Sequence, residues 1–245
     1  MVIEYGFTAV GRGWMVCEES PTGFSRVYYI TDGEVRYEDK YGIKKLKNGH
    51  IYFFPSTIPY KINHNPDKPL KCLFFHLIMS SNTINSLIEF DIEKSAFLFN
   101  LLSAMKYAVI DRNNLIVNEM SDILEIYCSQ NNIIEKNLPE SIEKILLYIS
   151  ENFKKEITLD NLSKIAGYQK EYFIRQFKGY LGISPYQYVK NLRLNEVTKL
   201  MKKNLSITEA AVNAGYSDIK NFTRAFKNKY GMTATEWKKQ YKPLP

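Results

Sequence analysis

The chain is poor in the residues that staple or metallate small folds. Among 245 residues there are 3 cysteines, Cys17, Cys72 and Cys128, widely spaced and without a C-x-x-C pair, so neither a disulfide framework nor a zinc knuckle is supported. The 3 histidines, His50, His64 and His76, are dispersed rather than clustered as His-x-His, and no metal is expected on them. With 12 glycines, 9 prolines and 45% hydrophobic residues, collagen-like, low-complexity and largely disordered classes are excluded. No apolar run approaches the roughly 18–20 residues of a membrane span. The opening Met1-Val-Ile-Glu-Tyr-Gly6 has no basic stretch ahead of an apolar one. A cytoplasmic protein with no membrane partner is therefore expected. Also missing are a phosphate-binding glycine loop, a Rossmann fingerprint, paired carboxylates and a Ser-His-acid set, so no catalytic residue and no cofactor are expected.

What is present is an uneven charge. The formal net charge is +7, but residues 141–245 hold 16 Lys and 3 Arg against 9 acids, a net +10, whereas residues 1–140 are at −3. Charge of one sign on one half speaks to binding a polyanion, not to fold. The switch coincides with Gln130-Asn-Asn-Ile-Ile-Glu-Lys-Asn-Leu-Pro139, a polar stretch ending in Pro ahead of a helix start at Ser141. Three parts are expected: residues 1–81, residues 82–137 and residues 138–245.

The first part reads as strands. Val27-Tyr-Tyr-Ile-Thr31 and Val35-Arg-Tyr-Glu38 flank Asp32-Gly33, a hairpin signal because Gly supplies the positive φ that tight turns need. Further β-branched and aromatic runs at Ile51-Tyr-Phe-Phe54, Ile58–Ile62 and Leu70–Ile78 predict an antiparallel sandwich or small barrel. Such a barrel holds one small molecule, and aromatic residues with polar tips suit a sugar or an aromatic effector; Tyr60, His64, Phe74 and His76 are candidates, with Tyr29 and Tyr37 behind them. From about Asn82 the spacing turns helical, through Phe97, Leu98, Leu101, Leu102 and Met105, then Ile116, Met120, Ile123, Leu124 and Tyr127. The two helices carry more apolar surface than one pair can bury. A second copy is one partner for it, and the β domain of the same chain is the other.

The second half contains an internal repeat. Gly167-Tyr168 matches Gly215-Tyr216, and after one extra residue Phe173, Arg175, Phe177, Lys178 and Gly182 match Phe222, Arg224, Phe226, Lys227 and Gly231. Each copy reads helix, turn, helix. Thr158 caps the first helix of one copy, and Ser206-Ile-Thr-Glu209 is a capping box at the same place in the other. In a helix-turn-helix the second helix normally lies in the DNA major groove. Phe173 and Phe177, like Phe222, Phe226 and Tyr230, form the buried stripe at four-residue spacing. The opposite side carries Glu171, Ile174, Arg175 and Lys178 in one copy and Lys220, Thr223, Arg224 and Lys227 in the other, with Gln169, Lys170 and Asn221 beside them. Arg suits a bidentate contact to guanine, Thr a base edge or methyl group, and Lys a phosphate. Ser184-Pro185 opens a helix running to about Lys203; at 1.5 Å per residue it spans roughly 27–30 Å, near one turn of DNA.

These residues resemble the AraC/XylS transcription regulators. The resemblance covers Ser141 to about Tyr241, in Ile157-Thr-Leu-Asp-Asn-Leu162, Gly167-Tyr168, Tyr172-Phe173, Arg175-Gln-Phe-Lys178, Gly182-Ile-Ser-Pro185, Arg193-Leu194, Gly215-Tyr-Ser-Asp218, Asn221-Phe-Thr-Arg-Ala-Phe-Lys227 and Tyr230-Gly-Met-Thr233. Gln169 stands where a Ser usually caps the helix, and Ala234-Thr-Glu-Trp237 replaces a Pro-containing ending. The front half is similar to the cupin-type sensor domain of many members. The resemblance implies an α+β multidomain fold: an antiparallel, cupin-like β-sandwich or barrel, a helical dimerisation hairpin, and an all-α domain of two helix-turn-helix motifs joined by a linker helix. The partners it implies are double-stranded operator DNA, a small-molecule effector such as a sugar, a second copy bound through residues 82–137, and RNA polymerase. The competing reading is a cupin-type metal-dependent enzyme with an accessory nucleic-acid-binding domain.

Overall fold

The computed structural model of the chain describes residues 2–79 and 82–240. It divides into two compact units, with the main boundary between Glu140 and Ser141. Among the described residues no helix is long and apolar enough to cross a membrane.

The first unit is a pair of antiparallel sheets. Its strands are β1 (Val2–Ala9), β2 (Val16–Glu18), β3 (Ser25–Asp32), β4 (Val35–Asp39), β5 (Gly42–Leu46), β6 (His50–Phe53), β7 (Tyr60–His64), β8 (Lys71–Leu77) and β9 (Ile88–Asp91). One sheet runs β1-β8-β3-β6-β9 and the other β2-β7-β4-β5. Period-2 alternation decides which side chains face inward: β4 buries Val35 and Tyr37 and exposes Arg36 and Glu38, and β7 buries Tyr60, Ile62 and His64 and exposes Lys61 and Asn63. Between the sheets lies an aromatic core including Tyr28, Tyr37, Tyr52, Phe54 and Tyr60. On the far side of the five-stranded sheet, Val27, Ile51, Phe53, Leu73 and Phe75 are covered by α1 (Ala96–Ile110) and α2 (Asn114–Gln130), through Leu98, Leu102, Met105, Val117 and Leu124.

Three expectations change at this level, and one alternative is decided. The Asp32-Gly33 step is not a hairpin: β3 pairs with β6 and β8, β4 pairs with β5 and β7, and the chain crosses from one sheet to the other. Gly33 is needed there because at φ +114° a Cβ would lie 2.5 Å from the Pro69 carbonyl oxygen. Helical structure does not begin near Asn82; Ile88-Glu-Phe-Asp91 is a fifth strand on β6, and α1 begins only at Ala96. The stretch 131–139 is not a free tether. Ile134 and Leu138 are buried, and Asn137 accepts from the Thr83 amide at 2.8 Å and donates to its carbonyl at 2.6 Å. Finally, the inner stripes of α1 and α2 are spent on the sheet of their own chain.

The second unit is helical: α3 (Glu140–Asn152), α4 (Leu159–Ala166), α5 (Lys170–Leu181), α6 (Pro185–Lys202), α7 (Ile207–Asn213), α8 (Ile219–Tyr230) and α9 (Ala234–Gln240). Local chemistry marks the ends. Ser184 caps α6 with Pro185 in its first turn, Ser206 and Glu209 form a reciprocal capping box on α7, and Gly167 closes α4 in the left-handed region at φ +70°. Thr233 and Glu236 cap α9 in the same reciprocal way. Phe173, Phe177 and Tyr188 pack edge to face in the first half, and Phe222 and Phe226 anchor the second with Leu194, Val197, Met201 and the alanines of α7. Each such buried aromatic is worth about 1.5–3 kcal/mol of burial.

Candidate functional site

In the second unit the buried phenylalanine stripe of each second helix fixes its outer face. On α5, Gln169 just ahead of the helix and Glu171, Arg175 and Lys178 on it are exposed, while Lys170 and Ile174 are half-buried. On α8, Lys220, Asn221, Thr223, Arg224 and Lys227 are all exposed. The two faces differ in what already occupies their charges. Lys170 is paired with Asp160 at 2.9 Å, and the Arg175 guanidinium lies 5.4 Å from the centre of the Tyr172 ring. Among the described residues Lys220, Arg224 and Lys227 have no acidic partner within ion-pair distance. Thr223 donates its hydroxyl to the Ile219 carbonyl at 2.8 Å, which leaves its methyl group, rather than its proton, for a base.

One connection between the two halves was not anticipated. Arg193 of α6 donates from Nε to the Phe153 carbonyl and from Nη2 to that of Lys155, each at 2.7 Å. On the same turn, Lys154 pairs with Glu196 of α6 at 2.6 Å, and the Lys154 carbonyl backs onto Gly215 so closely that a Cβ there would sit 2.5 Å away. The turn after α3 is thus held by α6 and by the α7–α8 turn together.

In the first unit, Tyr37 and Tyr60 of the candidate effector residues are buried between the sheets, and Phe74 and His76 are half-buried beside Tyr28. His64, also buried, meets the edge of Trp14. Tyr29 does not belong with them. As neighbours on a strand, Tyr28 and Tyr29 face opposite ways, and it is Tyr29 that packs under the helices. The same alternation brings in a residue that sequence reading passed over. Arg26, two positions before Tyr28, is nearly buried and ion-paired with Glu18 at 2.5 Å, and donates to the Tyr60 hydroxyl at 2.9 Å. Burial works against its charge, but the attraction of Tyr60 and Glu18 outweighs it and pushes its pKa up. Burial also pushes Tyr28 and Tyr60 up, Arg26 opposing the shift, so both stay neutral. Among the described residues no group of three or more His, Cys, Asp and Glu could hold a metal ion.

Two exposed basic helices, each the second member of a glycine-turned pair, define a helix-turn-helix protein. The family description "Helix-turn-helix domain" matches residues 162–240. The chain is 32% identical over 101 residues to the Transposon Tn10 TetD protein of Escherichia coli, covering 40% of this chain and 72% of that protein. It is 26% identical over 157 residues to the probable transcriptional regulator LumQ of Photobacterium leiognathi, covering 62% of each. The chain spans 62%, 43% and 38% of the length of three curated relatives that it matches. ToxT from Vibrio cholerae has a similar fold, with a TM-score of 0.66 at 9% identity over 96% of this chain and 94% of that one. The chain belongs to the AraC/XylS family.

Proposed function

We propose that this protein is a sequence-specific DNA-binding transcription regulator that answers to a small molecule bound in its first unit. The observation that carries the reading is the pair of outward faces, with Arg175, Lys178, Lys220, Arg224 and Lys227 exposed and outside any ion pair among the described residues. The 18-residue α6 joins the two copies over about 27 Å, a span suited to two successive segments of major groove on one face of a duplex. Selection of bound sequences from a random DNA pool, followed by mobility-shift titration, tests this. One preferred sequence, bound more weakly as salt rises, is expected, because neutralised phosphates release counterions. Binding that ignores sequence even at low salt would remove the regulator reading.

The working form is a dimer through α1 and α2. Their inner stripes are used on the sheet, yet Phe99, Tyr107, Ile110, Leu115, Ile123 and Ile126 remain exposed on them. Ile123→Glu with Ile126→Glu should give monomers by light scattering. The effector site lies among Tyr28, Tyr37, Tyr60, Phe74 and Arg26, where aromatic walls and a few fixed polar tips suit a sugar ring or an aromatic body. ToxT has been solved with an unsaturated fatty acid bound, so apolar acids join the sugars in a thermal-shift screen.

A further inference from the structure

The internal repeat accounts for α4–α5 and α7–α8, with α6 between them, but α3 lies outside it. Its two ends meet the two turns of the repeat. At its start the Ser141 hydroxyl bonds the Tyr168 hydroxyl, in the turn ahead of α5, at 2.9 Å. Midway along, the Tyr148 hydroxyl accepts from the Asn161 side chain of α4 at 2.8 Å. Just past its end the backbone of Lys154 lies against Gly215, in the turn ahead of α8. Gly167-Tyr168 and Gly215-Tyr216 are matched residues of the repeat, so α3 reaches from one turn to its counterpart. Its 13 residues span about 20 Å.

The far end of this strut is tied as well as touched. Carbonyls at a helix C-terminus carry negative partial charge and lack partners within the helix, and α3 has no basic residue in its own last turn. Arg193, from the middle of α6, takes that place, forking across the Phe153 and Lys155 carbonyls. Burial pushes the Tyr216 hydroxyl up in pKa and the Arg193 charge opposes it, so the same guanidinium acts on the α7–α8 turn. The Lys154–Glu196 pair adds a second link between the end of α3 and α6. A planar fork on two carbonyls fixes direction as well as distance, which one contact does not. Two struts, α3 and α6, therefore join the same two helix-turn-helix copies and are cross-tied at one place.

We infer that Arg193 is a positioning residue for DNA recognition: by tying α3 to α6 it fixes the separation of α5 and α8, so that the protein selects the spacing between two DNA segments as well as their sequences. It acts through the two helices and not by a DNA contact of its own. One base pair inserted between the segments turns one against the other by roughly 34–36° and moves it by about 3.4 Å. A hinged pair of helices would follow that change, and a cross-tied pair does not. The inference rests on the reading of both copies as DNA-binding, and it adds spacing to what they recognise.

The test is a ratio of two dissociation constants, measured by fluorescence anisotropy with the full chain. The DNA is the sequence selected from a random pool, with and without one base pair inserted between the segments read by α5 and α8. In the unaltered protein the insertion should weaken binding at least about a hundredfold, the loss of several base contacts of one copy. Arg193→Gln should lower that ratio at least about tenfold, and Arg193→Lys, which keeps the charge but not the fork, should fall between. Glu196→Ala removes only the pair with Lys154 and should lower the ratio about two- to fivefold; it decides the matter if Arg193→Gln does not fold. A loss of stability weakens binding to both DNAs alike and cancels in the ratio. Thr233→Ala, which removes the cap of α9, checks this by lowering the melting temperature with the ratio unchanged. An unchanged ratio in Arg193→Gln, or in Glu196→Ala where Arg193→Gln does not fold, would overturn the inference. So would a ratio near one in the unaltered protein with its sequence preference kept, which would leave the regulator reading intact. Binding that ignores sequence would remove both.

Discussion

The two helix-turn-helix copies share a plan but differ in how far each is committed. In the first, charge is already spoken for: Lys170 is tied to Asp160, Arg175 rests on Tyr172, and Glu171 adds an acid to the outer face. In the second, Lys220, Arg224 and Lys227 stand exposed outside any ion pair among the described residues, with Glu236 of α9 near Lys227. The turns differ in the opposite sense. Gly167 faces open space, whereas Gly215 is pressed against the backbone of Lys154. The copy with the freer recognition face is therefore the one with the more constrained turn. Substitutions at matched positions measure that difference.

The largest effect is expected at the glycines. Both sit at positive φ, so alanine at either pays a left-handed backbone penalty of about 1–2 kcal/mol. At Gly167 that is the whole cost, because nothing lies within 4 Å of the added Cβ. At Gly215 the Cβ would also meet Lys154 backbone atoms at 2.5–2.9 Å, which cannot swing away as a side chain could. Gly215→Ala should cost about 3 kcal/mol or more in urea unfolding, and should disturb binding to a full operator more than Gly167→Ala does. Equal losses would mean that the turn held by Arg193 yields, and that the two halves are less firmly joined than the bonds to Phe153 and Lys155 indicate.

Recognition comes next. Arg224→Ala should relax preference at one base position at a cost of about 1–3 kcal/mol. Arg175→Ala should cost less, because its guanidinium leaves a contact with Tyr172 to reach DNA. The reverse order, in titrations against variant operators, would break the comparison. Uniform weakening across all sequences would assign Arg224 to phosphate. Among the lysines, Lys220→Gln and Lys227→Gln should each lower the salt slope by about 0.9, and Lys170→Gln by less, since Asp160 already neutralises it.

The second unit was legible in the sequence because its determinants are local. Turn glycines, Ser and Thr caps and four-residue phenylalanine spacing each act within a few positions, and Ser206 with Glu209 closes a box across three residues. The first unit depends on pairings that no short window contains. β1 meets β8 some 70 residues on, and a crossing between sheets at Gly33 looks in sequence like the turn of a hairpin. Within a strand, phase decides the face: Tyr28 and Tyr29 lie on opposite sides of the sheet, and period-2 counting back from Tyr28 reaches Arg26. The Arg193 bonds to the turn after α3 link residues about 40 apart, and no spacing rule predicts them.

The smallest expected effect separates the two copies by pH. The Glu209 carboxyl accepts from the Ser206 amide at 3.0 Å, and its bonds to Ser206 hold its pKa below the ordinary value of 4.5. The first copy starts α4 with Thr158, and the residue three places on is Asn161, which carries no charge to lose. A carboxyl whose folded pKa is depressed stabilises the fold fully above its unfolded pKa and loses that contribution as pH falls through the folded one. Relative to the unaltered protein, Glu209→Gln should therefore lower the melting temperature near pH 7, and the gap should close as pH drops from about 4.5 through the depressed value. Glu236 on α9 is depressed by the same kind of bonds, to Thr233, so both proteins weaken together in acid and only the difference between them isolates Glu209. Thr158→Ala should show a gap that does not change with pH. A gap for Glu209→Gln that is equally flat would mean that the hydroxyl and amide of Ser206, rather than the charge they hold, start the second helix-turn-helix.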